Sequence, residues 1–136
     1  MSSLIIITSL ITLSSPDWIG TPPHQAQRIV SLSPAITEII YALGKGSYVV
    51  GVTQFDNYPE EVTQLPTVGG FINPNLEAIV ATNPDFVVTT PNSGGRKQIE
   101  TIGQLGIPVL VVPTQELDDL SPAIEVIAGV LHCPDR

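Results

Sequence analysis

From Arg28 onward the chain alternates between short runs of strand type and longer segments of helical period, and this alternation restricts the fold more than any other feature. "RIVSL" (28–32), "YVVGVT" (48–53), "PDFVVTT" (84–90) and "IPVLVVP" (107–113) are near-continuous apolar runs of strand length. Between and after them lie "SPAITEIIYALG" (33–44), "NLEAIVATN" (75–83), "GRKQIETIGQLG" (95–106) and "LDDLSPAIEVIAGVLH" (117–132). In the first of these, Ile36, Ile39, Ile40 and Leu43 make one apolar stripe. Ser33 stands at the N-cap position, Pro34 at the first helical position, and Gly44 where a helix closes. Asn75 is placed to cap the second helix; the third turns Ile99, Ile102 and Leu105 inward; the last is broken or restarted at Ser121-Pro122. Apolar strands separated by helices read as βαβ units, so the fold class expected is α/β, with a mostly parallel sheet flanked by helices on both faces.

The length of 136 residues suits one domain with its own core. Thirteen acidic residues against five basic ones, a net charge of −8, argue against nucleic acid and anionic membrane surfaces as partners. Cys133 is the single cysteine, so neither an intrachain disulfide nor a cysteine-based metal site is available. Ahead of the regular region, "LIIITSLITL" (4–13) is too short to span a bilayer as a helix and suits the apolar part of an export signal. The signal is atypical, because the first basic residue is Arg28. A start codon set inside a longer leader, or a buried strand, are the other readings. Ser14 to Gln27, with three prolines and no period, reads as a linker. The expected organisation is therefore a signal-like segment and linker over 1–27 and a folded lobe over 28–136, with an extracytoplasmic location.

Catalytic patterns are missing. There is no glycine fingerprint after a strand, and "GGRK" (94–97) lacks the spacing and hydroxyl of a phosphate loop. Ser33 sits at a strand-to-helix turn but lacks the glycines of a nucleophile elbow, and is read as a cap. His24 and His132 fall away from the strand ends, so no base is at hand. Asp56, Glu60 and Glu61 match no calcium-loop spacing and are read as a solvated loop. The chain is expected not to be an enzyme and to need no cofactor or metal.

In open parallel sheets, ligands gather at the carboxyl ends of the strands. One such loop carries "FDNYPEE" (55–61). Phe55, Tyr58 and Phe71 all fall in strand-end loops, three of only seven aromatic residues in the chain. Flat apolar faces with a few polar neighbours suit a large planar organic ligand. Tyr58 and Phe71 read equally as staples that hold their loops to the body. Glu77 stands in the first turn of the second helix, where the dipole favours a carboxylate. It reads either as dipole compensation or as a charge held out for a basic partner.

Four segments in order, "RIVSLSPAITEIIYALG", "VVGVTQFDNYPEEVTQLPTVGGF", "NPNLEAIVATNPDFVV" and "IETIGQLGIPVLVV", resemble the N-terminal lobe of helical-backbone periplasmic solute-binding proteins of ABC importers. The branch most similar is the one that binds cobalamin; others bind haem or ferric siderophores. The resemblance covers about residues 28–136. It implies two α/β lobes joined by a long helix, a ligand held between them without chemistry, and permease and ATPase subunits as partners. It further implies that Phe55 and Phe71 pack on the corrin, that Asp56 and Tyr58 lie on the same ligand-facing loop, and that Glu77 docks into an arginine pocket of the permease. Thr90 stands where some relatives carry another aromatic, a departure from the cobalamin pattern. A siderophore site would want clustered arginines, whereas Arg28, Lys45, Arg96 and Lys97 are few and scattered. The chain stops at "HCPDR", about where the connecting helix of the family begins, so the second lobe is expected to be lost, supplied by another chain, or unnecessary because this lobe acts alone or as a dimer. The rival classes are a small doubly wound enzyme or nucleotide-binding domain, and a remnant that binds nothing.

Overall fold

The computed structural model describes residues 16–70, 72–91 and 96–132. Phe71, Cys133 and the apolar run at 4–13 lie outside the described residues. Five strands form one sheet: β1 (Asp17–Ile19), β2 (Ile29–Ser31), β3 (Val49–Gly51), β4 (Phe86–Thr89) and β5 (Val109–Val111). Four α-helices accompany them: α1 (Pro34–Ala42), α2 (Leu76–Ala81), α3 (Arg96–Gln104) and α4 (Leu120–Val130). The strand order is β1-β5-β4-β2-β3, with β2, β3, β4 and β5 parallel and β1 antiparallel to β5. The α/β expectation holds, and its four strands and four helices are where the periodicity puts them.

Two apolar layers sandwich the sheet. On one face Ile36, Ile39 and Ile40 of α1 and Ala123, Ile127 and Ala128 of α4 pack with Ile29, Phe86, Val88 and Leu110. On the other, Ile79 of α2 and Ile99 and Ile102 of α3 pack with Val30, Val87, Val109 and Val111. Successive strand residues go to opposite layers, which is why the strands read as unbroken apolar runs. Each fully buried Ile or Val side chain contributes about 1.5–3 kcal/mol of transfer free energy.

Helix ends follow their local chemistry, with exceptions. The Asn75 side chain accepts a hydrogen bond from the Ala78 N–H at 3.1 Å. After α1 the chain turns at Gly44 (φ 78°), and the Gly44 and Lys45 N–H groups close on the Tyr41 and Ile40 carbonyls. Ser33 occupies the N-cap position of α1 but its hydroxyl makes no cap bond. Pro34 removes one of the orphan donors, and the Ser33 carbonyl is taken by the Thr37 N–H and hydroxyl. Leu105, expected inward, is 53% exposed, because α3 ends at Gln104 and the turn carries the next residue outward. The last helix begins as a 3₁₀ turn at Leu117–Asp119 and passes into α4 at Leu120, ahead of the expected break. Pro122 is accommodated in the first turn of α4, where its missing N–H has no intrahelical partner to lose.

The stretch read as linker holds the largest departure. Residues 17–19 form β1, paired as Asp17↔Val111, Trp18↔Leu110 and Ile19↔Val109. Trp18 packs edge-on against Phe86, with ring centroids 5.3 Å apart at 69°. A three-residue strand flanked by prolines has no period to detect; backbone pairing along the open edge of β5 creates it. At the amino end of the sheet, the Asp85 carboxylate accepts the Gln27 and Arg28 N–H groups at 2.8 and 2.9 Å. The Arg28 guanidinium donates to the Asn83 and Thr82 carbonyls, so this cation serves the fold.

Candidate ligand-binding site

The connections out of β2 and β4 diverge: β2 leads through α1 to β3 on one side, β4 through α3 to β5 on the other. Such a switch point leaves a crevice at the carboxyl ends of the strands. Three depressions lie along that edge. One of about 250 Å³ runs beside Pro91, Val112, Pro113 and Asp119. One of about 210 Å³ lies between Ala35 and Ile39 of α1 and Leu117 and Leu120. The third, about 260 Å³, is lined by Gln54, Phe55, Gly69, Gly70, Ile72 and Asn73. Only this third one carries an aromatic ring among its lining residues.

The groove is built by two loops at the end of β3. Val52 pairs in parallel with Thr67, with Val52 N–H to Pro66 O at 3.0 Å and Val68 N–H to Val52 O at 2.9 Å. This holds the second loop against the first. Gly69 and Pro74 close the second loop at its base, aided by Asn75 N–H to Val68 O at 2.8 Å. Gly69 sits at φ 91°, and a Cβ there would come within 2.8 Å of the Asn73 carbonyl and 2.9 Å of the Asn75 nitrogen. No larger residue fits without opening the loop. A Cβ on Gly70 would lie 3.3 Å from the Phe55 ring, so the ring edge rests over bare backbone.

Phe55 is 59% exposed, Tyr58 65% and Ile72 59%. Large rings left in water at a strand-end loop are the exposed apolar surface that marks a contact site. Asp56, by contrast, departs from the reading of a solvated loop. Its side chain turns inward and is buried, with Oδ1 accepting the Thr53 N–H at 3.0 Å and the Thr53 hydroxyl. A four-residue turn brings both groups to one carboxylate oxygen, which spacing along the sequence does not announce. Glu60 and Glu61 are exposed, on a 3₁₀ turn anchored by buried Val62. Burial, and after it the Glu61 carboxylate, raise the Tyr41 phenol above its usual range.

Thr90 follows β4 at the switch point and is buried, 8% exposed. Glu77 lies on the outer surface of α2, exposed, in the first turn. The structure therefore brings Phe55 to the groove and puts Tyr58 in water on the same loop. It keeps Thr90 at the end of β4, with β2 between it and the groove strand, and sets Glu77 apart on its helix. The groove's other members, Gln54, Gly69, Gly70, Ile72 and Asn73, fall in strand-end loops that the sequence marks as ligand loops, but none is singled out there as a site residue; the Gly-Gly pair after Val68 is the signal that could have done so. His24 and His132 are both exposed. Among the described residues no cluster of three or more His, Cys, Asp or Glu could hold a metal ion.

An exposed ring thus lies over a glycine-floored groove at the carboxyl end of β3, the edge strand beside β2. Comparison with known proteins gives the family. Residues 29–136 match the family described as periplasmic binding protein, and the chain belongs to it. The chain is 34% identical to the vitamin B12-binding protein of Vibrio parahaemolyticus over 110 residues, 81% of this chain and 40% of that protein. Among solved structures it is similar to the periplasmic vitamin B12 binding protein of Vibrio cholerae (TM-score 0.69, 30% identity, 81% of this chain and 42% of that one). It is similar also to a periplasmic heme binding protein of Pseudomonas aeruginosa (TM-score 0.71, 28% identity, 79% and 40%). These relatives are solute-binding proteins, not enzymes, and vitamin B12 and haem are their ligands rather than cofactors. The chain spans about 40% of the length of the first of these relatives.

Proposed function

We propose that this chain is the N-terminal lobe of an extracytoplasmic binding component of an ABC importer, that its ligand is a corrinoid of the vitamin B12 type, and that Phe55 lies against the corrin face. The observation that carries the reading is Phe55, 59% exposed with its ring over Gly70 at the mouth of the groove. Tyr58 adds an exposed ring on the same loop, and Phe71 (outside the described residues), Asp56 and Thr90 are proposed as further contacts. The charge distribution favours a ligand without free carboxylates. Among the described residues, Arg28 is committed at the amino edge, Lys45 lies over the Tyr48 ring, and Arg96 pairs with Glu100 at 3.4 Å, which leaves Lys97 at the carboxyl edge. Carboxylate-bearing ligands want arginine partners. Titrating the chain with cyanocobalamin and with haemin, followed by absorbance, tests the reading. Corrinoid binding tighter than haemin binding is expected; absence of any corrinoid binding would remove it.

The second reading is haem capture, favoured by the exposed phenol of Tyr58, an oxygen ligand suited to ferric iron. On this reading a Soret shift appears with haemin and is lost in Tyr58→Phe.

Glu77 completes the proposal as the docking carboxylate for a cationic pocket on the permease. It is exposed in the first turn of a six-residue helix, where a negative charge complements the helix dipole. Glu77→Gln is expected to leave ligand affinity unchanged and to cost under about 1 kcal/mol of stability. Uptake by cells carrying the importer, with this chain as its binding component, is expected to fall at least about tenfold. Undiminished uptake would return Glu77 to dipole compensation.

A further inference from the structure

Phe55 is a large apolar ring held in water, and something must hold it there. The backbone that carries it is a four-residue turn, and the polar groups of that turn converge on two buried side chains. Thr53 is 1% exposed and Asp56 is 8% exposed, while Phe55 between them is 59% exposed. Asp56 Oδ1 accepts both the Thr53 N–H, at 3.0 Å, and the Thr53 hydroxyl, at 2.5 Å. The same hydroxyl oxygen accepts the Phe55 N–H at 3.1 Å. The Asp56 N–H returns to the Thr53 carbonyl at 3.2 Å. The carboxylate, the hydroxyl and the Phe55 amide thus form one relay, and the direction of the Phe55 Cα–Cβ bond is fixed by it.

We infer that Asp56 is a positioning residue. With Thr53 it forms a buried polar clamp that aims the Phe55 ring over Gly70 and into the groove. This rests on the reading of Phe55 as the stacking residue, and it moves Asp56 from touching the ligand to acting through Phe55. The burial supports a dedicated role. Asp56 Oδ2 is buried without a hydrogen-bond partner among the described residues, an arrangement that costs stability. A preformed aromatic surface also avoids the entropy of ordering a mobile ring on binding, so fixing Phe55 raises affinity without a new contact.

The experiment has two arms. The first needs no ligand. In the full chain with labelled phenylalanine, the ring of Phe55 shows nuclear Overhauser contacts to the Gly70 α-protons. Asp56→Ala and the near-isosteric Thr53→Val are expected to lose them, while Asp56→Asn, which keeps a carbonyl acceptor at Oδ1, and Thr53→Ser, which keeps the hydroxyl, retain them. The second arm is cyanocobalamin titration. Asp56→Ala and Thr53→Val are expected to weaken binding about tenfold, and the two conservative variants to stay within about threefold of the parent. In a Phe55→Ala background, Asp56→Ala is expected to have no further effect, because its influence passes through the ring. Retention of the Phe55–Gly70 contact in both Asp56→Ala and Thr53→Val overturns the inference. So does an equal loss of affinity in the presence and absence of Phe55. If the parent chain binds no corrinoid, the reading of its ligand falls, and the first arm still decides the clamp.

Discussion

Phe55→Ala is expected to weaken corrinoid binding about 30-fold, close to 2 kcal/mol, with little change in thermal stability. The two halves of this expectation have one cause. A ring 59% exposed in the free protein contributes little to the core, so its removal leaves the fold nearly as stable as before. A planar ligand would desolvate that same ring, and the lost contact area and stacking then appear in the affinity alone. Phe55→Trp, which offers a broader face on the same turn, is expected to bind within a few-fold of the parent. Paired titration and thermal denaturation check both. A drop in melting temperature with unchanged affinity would show that Phe55 serves as a loop staple.

The opposite signature is expected at Phe86. Its ring is 2% exposed in the middle of the sheet, packed edge-on against Trp18. Phe86→Ala removes a full aromatic from a close-packed layer and is expected to cost about 3–5 kcal/mol, measured by urea denaturation. Trp18 is the only tryptophan in the chain and reports the event directly. As the Phe86 ring is lost, the indole gains water and its emission shifts to the red. Leu117→Ala, at a position 92% exposed, serves as the control and is expected to change stability by less than about 0.5 kcal/mol. A loss below about 1 kcal/mol at Phe86 would mean that β1 does not rest on this layer.

These two phenylalanines show what a sequence carries and what it does not. Ile36, Ile39, Ile40 and Leu43 repeat at helical spacing, and the Val/Ile runs of β2, β4 and β5 are unbroken. Periodicity of this kind is local, and it determined the strand and helix order and hence the parallel α/β fold. It also set Phe55 and Tyr58 on a strand-end loop, because where a strand stops is local too. The missing cap bond at Ser33, the outward turn of Leu105 and the 3₁₀ start ahead of α4 departed from expectation, as helix ends do where tertiary contacts compete with caps.

Only the tertiary structure decided β1, the inward turn of Asp56 and the glycine floor beneath Phe55. Each depends on partners distant in sequence or on the direction of a side chain. Trp18 becomes a strand residue because Leu110 offers it an open edge, some ninety positions away. Asp56 looks like a surface acid until the turn at Thr53 folds its carboxylate inside. Gly70 matters because Phe55, on another loop, lies across it. Burial and loop-to-loop contact are properties of the closed chain, and pattern along the sequence is blind to them.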